Sequence, residues 1–113
     1  MEKKHELFIV RNEAKIKMIR FDLLTAITVD NYLCTFHIDG DEKFTCTKSL
    51  NKIENILPEH FVKVKRDTII NTQKIKSFNV KEREILLYCG HTFKYAVKKI
   101  NIMKKITTFC ISI

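Results

Sequence analysis

Two basic residues, Lys65 and Arg66, have the clearest chemical potential in this chain of 113 residues. Lys65 is the last residue of a strand-like run, 61–65, and Arg66 follows it directly. The next two residues are Asp67 and Thr68, which carries a hydroxyl. An arginine at the end of a strand can extend beyond the sheet, where its guanidinium group forms two hydrogen bonds to a phosphate or to a guanine edge. On its own, this pattern is equally compatible with a turn that exposes ordinary charged side chains.

Signs of catalysis or metal binding are missing from the sequence. The histidines lie far apart, at His5, His37, His60 and His91. The chain contains no nucleophile elbow, no phosphate-binding glycine loop and no zinc-protease motif. The carboxylate pairs Asp39/Asp41 and Glu82/Glu84 fall in predicted turns, where solvation explains them. We therefore predict that the protein is not an enzyme and uses no cofactor or metal.

The cysteine spacings and the hydropathy pattern indicate the cellular compartment in which the protein functions. Cys34, Cys46, Cys89 and Cys110 form no C-x-x-C pair, and their spacings of 12, 43 and 21 residues match no zinc signature. No apolar run approaches the roughly 20 residues that span a bilayer, and the first residues do not form a signal peptide. We predict reduced thiols in a cytoplasmic protein without a membrane partner.

The net charge of +8 is concentrated in one half of the chain. Residues 1–57 contain nine Lys/Arg and nine Asp/Glu, whereas residues 58–113 contain twelve against four. Such asymmetry indicates a polyanionic partner, although a solvated basic surface without a specific partner remains open from charge alone.

The elements that would position these residues are mostly short β-strands. Strand-like runs occupy 7–11, 15–21, 24–29, 32–39, 43–47, 61–65, 68–71, 75–80, 85–89 and 92–97. Asp39-Gly40-Asp41 predicts a hairpin turn. A change of apolar period predicts one short helix over about 49–57, with Ser49 at its start and Pro58 after it. A further helical turn is possible over 98–106, before an apolar tail at 107–113.

Four blocks of this sequence, in order, resemble the LytTR family of bacterial DNA-binding domains. The first is a strand leading into Asp30-Asn31-Tyr32, and the second is the hairpin followed by the helix that ends before Pro58. The third, Phe61-Val62-Lys63-Val64-Lys65-Arg66-Asp67-Thr68-Ile69-Ile70-Asn71-Thr72-Gln73-Lys74-Ile75, is the most characteristic. The fourth is Gly90-His91-Thr92-Phe93-Lys94-Tyr95-Ala96-Val97-Lys98. The resemblance covers about residues 6–106.

The resemblance implies an elongated β-β-β arrangement of small sheets whose loops, rather than a recognition helix, enter the DNA grooves. It places the DNA-reading residues at three loop positions, which correspond here to Tyr32, Arg66 and Lys98. We expect Lys65, Lys94 and Lys99 to contact flanking phosphates. The chain departs from the family at Lys65, where a histidine is usual, at Asp67, where a serine is usual, and at 96–98, which lacks a Ser-Arg-Arg pattern.

These features predict a single domain over residues 1–113, without a receiver domain, that regulates transcription by sequence-specific binding of promoter DNA. A homodimer on direct repeats would suit such a regulator. The alternative is an interaction module that modulates a partner LytTR regulator by heterodimerisation through the apolar tail 106–113. RNA binding through the rings of Phe93 and Tyr95 is a third option.

Overall fold

Residues 7–96 are described by a computed structural model, and they form ten strands, one α-helix and two short 3-10 helices. The strands are β1 (Leu7–Arg11), β2 (Ile16–Arg20), β3 (Leu24–Asp30), β4 (Leu33–Ile38), β5 (Glu42–Thr47), β6 (Phe61–Lys65), β7 (Thr68–Asn71), β8 (Ile75–Asn79), β9 (Glu84–Leu87) and β10 (Thr92–Lys94). The helix α1 spans Leu50–Glu54, and the 3-10 helices span Phe21–Leu23 and Thr72–Lys74. All strand pairs are antiparallel.

A five-stranded sheet with the order β5-β4-β3-β7-β6 is the centre of the molecule. Its strands carry apolar side chains on both faces, since Ile27 and Ile69 belong to one buried cluster while Ala26 and Ile70 belong to another. The β1–β2 hairpin and α1 contribute to the first cluster, and the three-stranded sheet β10-β9-β8 contributes to the second. This arrangement of small sheets confirms the predicted mostly-β fold.

The hairpin predicted around Asp39-Gly40-Asp41 is confirmed. Cys34 pairs with Cys46 and Phe36 with Phe44, and all four side chains are buried on the same face. The turn requires positive φ at Gly40 (84°) and Asp41 (63°), which glycine and aspartate tolerate better than most residues.

The predicted helix is present but shorter than the expected span 49–57. After Glu54 the backbone tightens into three-residue turns, in which Ile56 N donates to the carbonyl of Ile53 and Leu57 N to that of Glu54. Pro58 disfavours the helical conformation at Leu57, so α1 cannot extend through the whole predicted span. Ser49 lies at the N-cap, but its hydroxyl makes no capping hydrogen bond. The predicted turn at 98–106 lies outside the described residues, as does the tail.

The β1–β2 hairpin buries only one of its two apolar faces. Val10 and Ile19 pack into the core. On the opposite face, Ile16 and Met18 are 64% and 66% exposed, and Ile9 lies beside Met18 in the strand register. The alternation that predicted β2 is correct, but the larger apolar side chains of this strand face solvent.

A buried amide joins the central sheet to the elements around it. Asn71 is fully buried, and its Nδ2 donates to the carbonyls of Leu24 (2.9 Å) and Phe21 (3.4 Å). Its Oδ1 accepts from Gln73 N at 3.0 Å. One side chain therefore satisfies backbone groups at the start of β3 and in the connection from β7 to β8.

Replacing this amide is expected to destabilise the whole domain. Asn71→Ala leaves buried carbonyls without donors, and each unsatisfied group costs about 1–3 kcal/mol, so we expect the free energy of unfolding to fall by about 2–3 kcal/mol. Chemical denaturation would measure it. The control Asn51→Ala, at an exposed position of α1, should stay within about 0.5 kcal/mol of the wild type. Equal effects of the two substitutions would contradict the assigned role.

Candidate nucleic-acid interface

Two of the predicted DNA-contacting turns lie side by side at one end of the central sheet. Thr28 of β3 pairs with Thr68 of β7, and Val29 N donates to the carbonyl of Asp67 at 3.0 Å. Since the strands are antiparallel, the end of β3 adjoins the start of β7. The β3–β4 turn and the β6–β7 turn therefore form one composite edge, which we call the basic edge.

The β3–β4 turn presents Tyr32 to solvent. Asn31 takes a left-handed conformation with φ of 58°, which asparagine adopts more readily than most residues. The turn ends the β-alternation before β4, so that Tyr32 does not share the buried face of Cys34 and Phe36. Its side chain is 83% exposed, with the hydroxyl available for hydrogen bonding.

In the β6–β7 turn, the acidic residue is paired and the arginine is left free. Asp67 Oδ1 accepts from the Thr68 hydroxyl at 3.0 Å and lies 3.9 Å from the Lys65 ammonium. Arg66 is exposed and forms no ion pair or side-chain hydrogen bond with any other residue in the 7–96 range. The acidic substitution relative to the family pattern therefore lies beside Lys65, while Arg66 keeps its donors for a ligand.

Ala96, two residues before the third predicted contact, is held against a bulge in β6. The register between β6 and β7 shifts between Lys63 and Lys65, which leaves Val64 outside the regular pairing. The Val64 carbonyl accepts from Ala96 N at 3.0 Å, two residues before Arg66. Lys98 and Lys99 lie outside the described residues, but the chain that leads to them is fixed against β6.

Lys94 differs from Arg66 because its charge is already compensated. Its Nζ donates to the carbonyl of Glu82 at 3.0 Å and lies 3.4 Å from Glu84 Oε2. The side chain remains more than half exposed, so a phosphate contact would compete with these partners. Tyr95 is buried against Phe78, with ring centroids 6.2 Å apart, which leaves its ring unavailable for base stacking.

The basic edge also contains residues that the sequence analysis missed. A surface cavity of about 390 Å³ lies between the β3–β4 turn and the start of α1, and its lining includes Tyr32, Lys48 and Lys52. The pairing of Leu33 with Thr47 places the residue after β5 next to the β3–β4 turn. This adjacency depends on strand register, and no local motif in 48–52 indicates it.

Three acidic residues lie at the opposite end of the sheet, and two of them pair with lysines. Asp39, Asp41 and Glu42 lie in or beside the β4–β5 turn, where Asp39 pairs with Lys74 at 2.9 Å and Glu42 pairs with Lys17. Lys17 and Lys74 therefore offset two of these three carboxylates, so this end offers a polyanion no net attraction.

Comparison with known proteins identifies the family and a similar fold. The family model for the LytTr DNA-binding domain matches residues 14–108, so the chain belongs to the LytTR family. A solved LytTr DNA-binding domain from Bacillus cereus is similar in fold, with a TM-score of 0.76 at 15% sequence identity. The match covers 93% of this chain and 99% of that one. No curated protein matches this chain. Within residues 7–96, no helix has the length and apolarity to cross a membrane.

His37 should make the fold sensitive to mild acid. Burial lowers the pKa of His37 below its usual 6.5, with further lowering by Lys43 and His91. The unfolded chain therefore binds a proton more readily than the folded one, and stability should fall as pH drops below about 6.5. Denaturant midpoints measured at pH 7.5, 6.5 and 5.5 should decline less in His37→Gln than in the wild type. Parallel declines would exclude His37 as the cause.

Proposed function

We propose that this protein is a cytoplasmic bacterial transcription regulator that binds double-stranded promoter DNA in a sequence-specific manner. The observation that carries this proposal is the hydrogen bond from Val29 N to the Asp67 carbonyl, with an N···O distance of 3.0 Å. This bond holds the turn of Tyr32 beside the turn of Arg66. Family membership supports DNA binding. The compensated charge of Asp67 and the free guanidinium of Arg66 support base readout at this edge.

Each residue would have a role that fits its chemistry. Arg66 would form two hydrogen bonds to a guanine edge in the major groove. Tyr32 would donate its hydroxyl to the backbone or pack against a sugar. Lys65 would contact phosphates while its ammonium group stays close to Asp67. The ammonium group of Lys94 would contact a phosphate only after loosening its contacts with Glu82 and Glu84.

The third contact belongs to the segment after Ala96. We propose that Lys98 contacts the DNA backbone in the adjoining groove and that Lys99 adds a flanking phosphate contact. The hydrogen bond from Ala96 N to the Val64 carbonyl, two residues before Arg66, supports this assignment. Turns inserted into successive grooves would release counterions from several phosphates, which would provide most of the affinity.

Salt dependence tests the proposal as a whole. The logarithm of the affinity of the purified protein for promoter fragments should fall linearly with log salt concentration, and one fragment should bind more tightly than an unrelated duplex at each salt concentration. Selection from random duplexes would identify the preferred site. An absence of DNA binding at low salt would refute the proposed function.

Arg66→Ala separates readout from general attraction. We expect a loss of about 1–3 kcal/mol on the preferred site and a relaxed base preference, because the guanidinium group is the bidentate donor. Fluorescence anisotropy on matched and mismatched duplexes would measure both effects. The control Lys43→Ala removes an exposed positive charge near the acidic end and should leave the base preference unchanged. Retention of full preference by Arg66→Ala would contradict the assignment.

The apolar hairpin face favours a second function, contact with another copy of this chain on DNA. A five-residue strand is about 17 Å long, so the face is smaller than a standard protein interface and would not hold a dimer free in solution. Adjacent DNA sites would raise the effective concentration enough for contact. On direct repeats, the Met18 face of one copy would meet a different surface of the next in a head-to-tail arrangement.

Cooperativity on paired sites tests this contact. Met18→Gln should lower cooperative binding to a duplex with two sites while leaving affinity for one site unchanged, as measured by anisotropy. Ile56→Gln is a matched control, because Ile56 is similarly exposed and lies outside the hairpin. Unchanged cooperativity in Met18→Gln would exclude this face as the contact between copies.

The segment 106–113, through which a heterodimer is predicted, lies outside the described residues. This prediction is tested by comparing the full chain with one ending at Lys105.

A further inference from the structure

The cavity at the basic edge is lined by hydrogen-bond donors and lacks acidic groups. Lys48 and Lys52 border it on one side, and Asn31 and Tyr32 border it on the other. Ser49 completes this polar lining, and its hydroxyl is not used to cap α1. None of the eight residues that line the cavity carries a carboxylate.

The two lysines are free to bind an anion. Both side chains belong to exposed residues, and neither is paired with a carboxylate in residues 7–96. By contrast, Lys63 of the neighbouring β6 strand lies 3.9 Å from Glu54 and donates to Asn51 at 3.2 Å. The ammonium groups of Lys48 and Lys52 therefore remain available at the cavity.

We propose that this cavity binds a backbone phosphate of the DNA, beside the base pairs that Tyr32 and Arg66 contact. This inference rests on the proposed function, because the cavity shares Tyr32 and Asn31 with the β3–β4 turn. Lys48 and Lys52 would donate to the phosphate oxygens, and the Ser49 hydroxyl would add a neutral donor. An ammonium group contacts phosphate as a point charge and carries no base information, so the cavity would add affinity without sequence preference.

A duplex, rather than a small anion, suits the position of the cavity. It opens at the edge where two turns already present an exposed tyrosine and a free arginine. A DNA strand that passes these turns would carry its flanking phosphates across the cavity. The contact would therefore lengthen the bound stretch of DNA on the side of α1.

The test compares two variants that each lose two positive charges. Lys48→Gln/Lys52→Gln removes the proposed phosphate ligands, and Lys43→Gln/Lys76→Gln removes two exposed lysines elsewhere. The affinity of each for the preferred and for an unrelated duplex is measured across salt concentrations. Each lost phosphate contact lowers the slope of log affinity against log salt by about 0.9. We expect the first variant to lose about 0.9 of slope, the value for one phosphate contact, with an unchanged specificity ratio, and the second to resemble the wild type.

A neutral phosphate analogue locates the contact. Methylphosphonate replaces single phosphates along the preferred duplex, and wild-type affinity should fall at one or two positions beside the site. The Lys48→Gln/Lys52→Gln variant should be insensitive at those positions and remain sensitive at others. Circular dichroism melting confirms that both double variants are folded.

The outcomes separate this inference from the proposed function. If the wild type binds DNA and the two double variants have equal slopes of log affinity against log salt, the cavity is not a phosphate site and the proposed function stands. A changed specificity ratio in the first variant would equally overturn the inference, because it would show base readout. If the wild type binds no duplex, the proposed function fails and the cavity inference fails with it.

Discussion

Burial of both faces of the five-stranded sheet is the constraint on which the rest of this molecule depends. Alternate side chains of β3 and β7 enter two different apolar clusters, so neither face is left for a ligand. The buried amide of Asn71 closes the arrangement, because its Nδ2 donates to the carbonyls of Phe21 and Leu24 and its Oδ1 accepts from Gln73 N in the turn toward β8. The surfaces left for recognition are then the turns at the two ends of the sheet.

The two ends of the sheet differ in charge, and this difference would favour one orientation of the domain relative to DNA. One end collects Asp39, Asp41 and Glu42, whereas the other collects Arg66 with Lys48, Lys52 and Lys65. Two carboxylates lie at the basic end, Asp67 beside Lys65 and Asp30 at the end of β3, and within residues 7–96 Arg66 pairs with neither. An approaching duplex would thus be oriented by the field before any base is contacted.

Local patterns predicted much of the fold correctly. Two-residue alternation and the Asp39-Gly40-Asp41 turn predicted the β4–β5 hairpin, because both depend on neighbours in sequence. The helix was placed correctly but made too long, since apolar periodicity does not show where α-helical hydrogen bonds give way to the three-residue turns at Ile56 and Leu57. The outward face of β2 was not predictable from its alternation, because periodicity shows that Ile16 and Met18 share a face but not which face is buried.

The sequence by itself determined which chemical groups are present: an arginine, a tyrosine and several lysines in a LytTR-like order, within short strands. Only the tertiary structure decided which of these groups act together. Strand register brought the turn of Arg66 beside that of Tyr32 and opened the cavity of Lys48 beside both, while it tied Lys94 to Glu82 and Glu84. The physical reason is that side-chain type and turn conformation are local properties, whereas pairing between distant strands depends on how the whole chain buries its apolar surface.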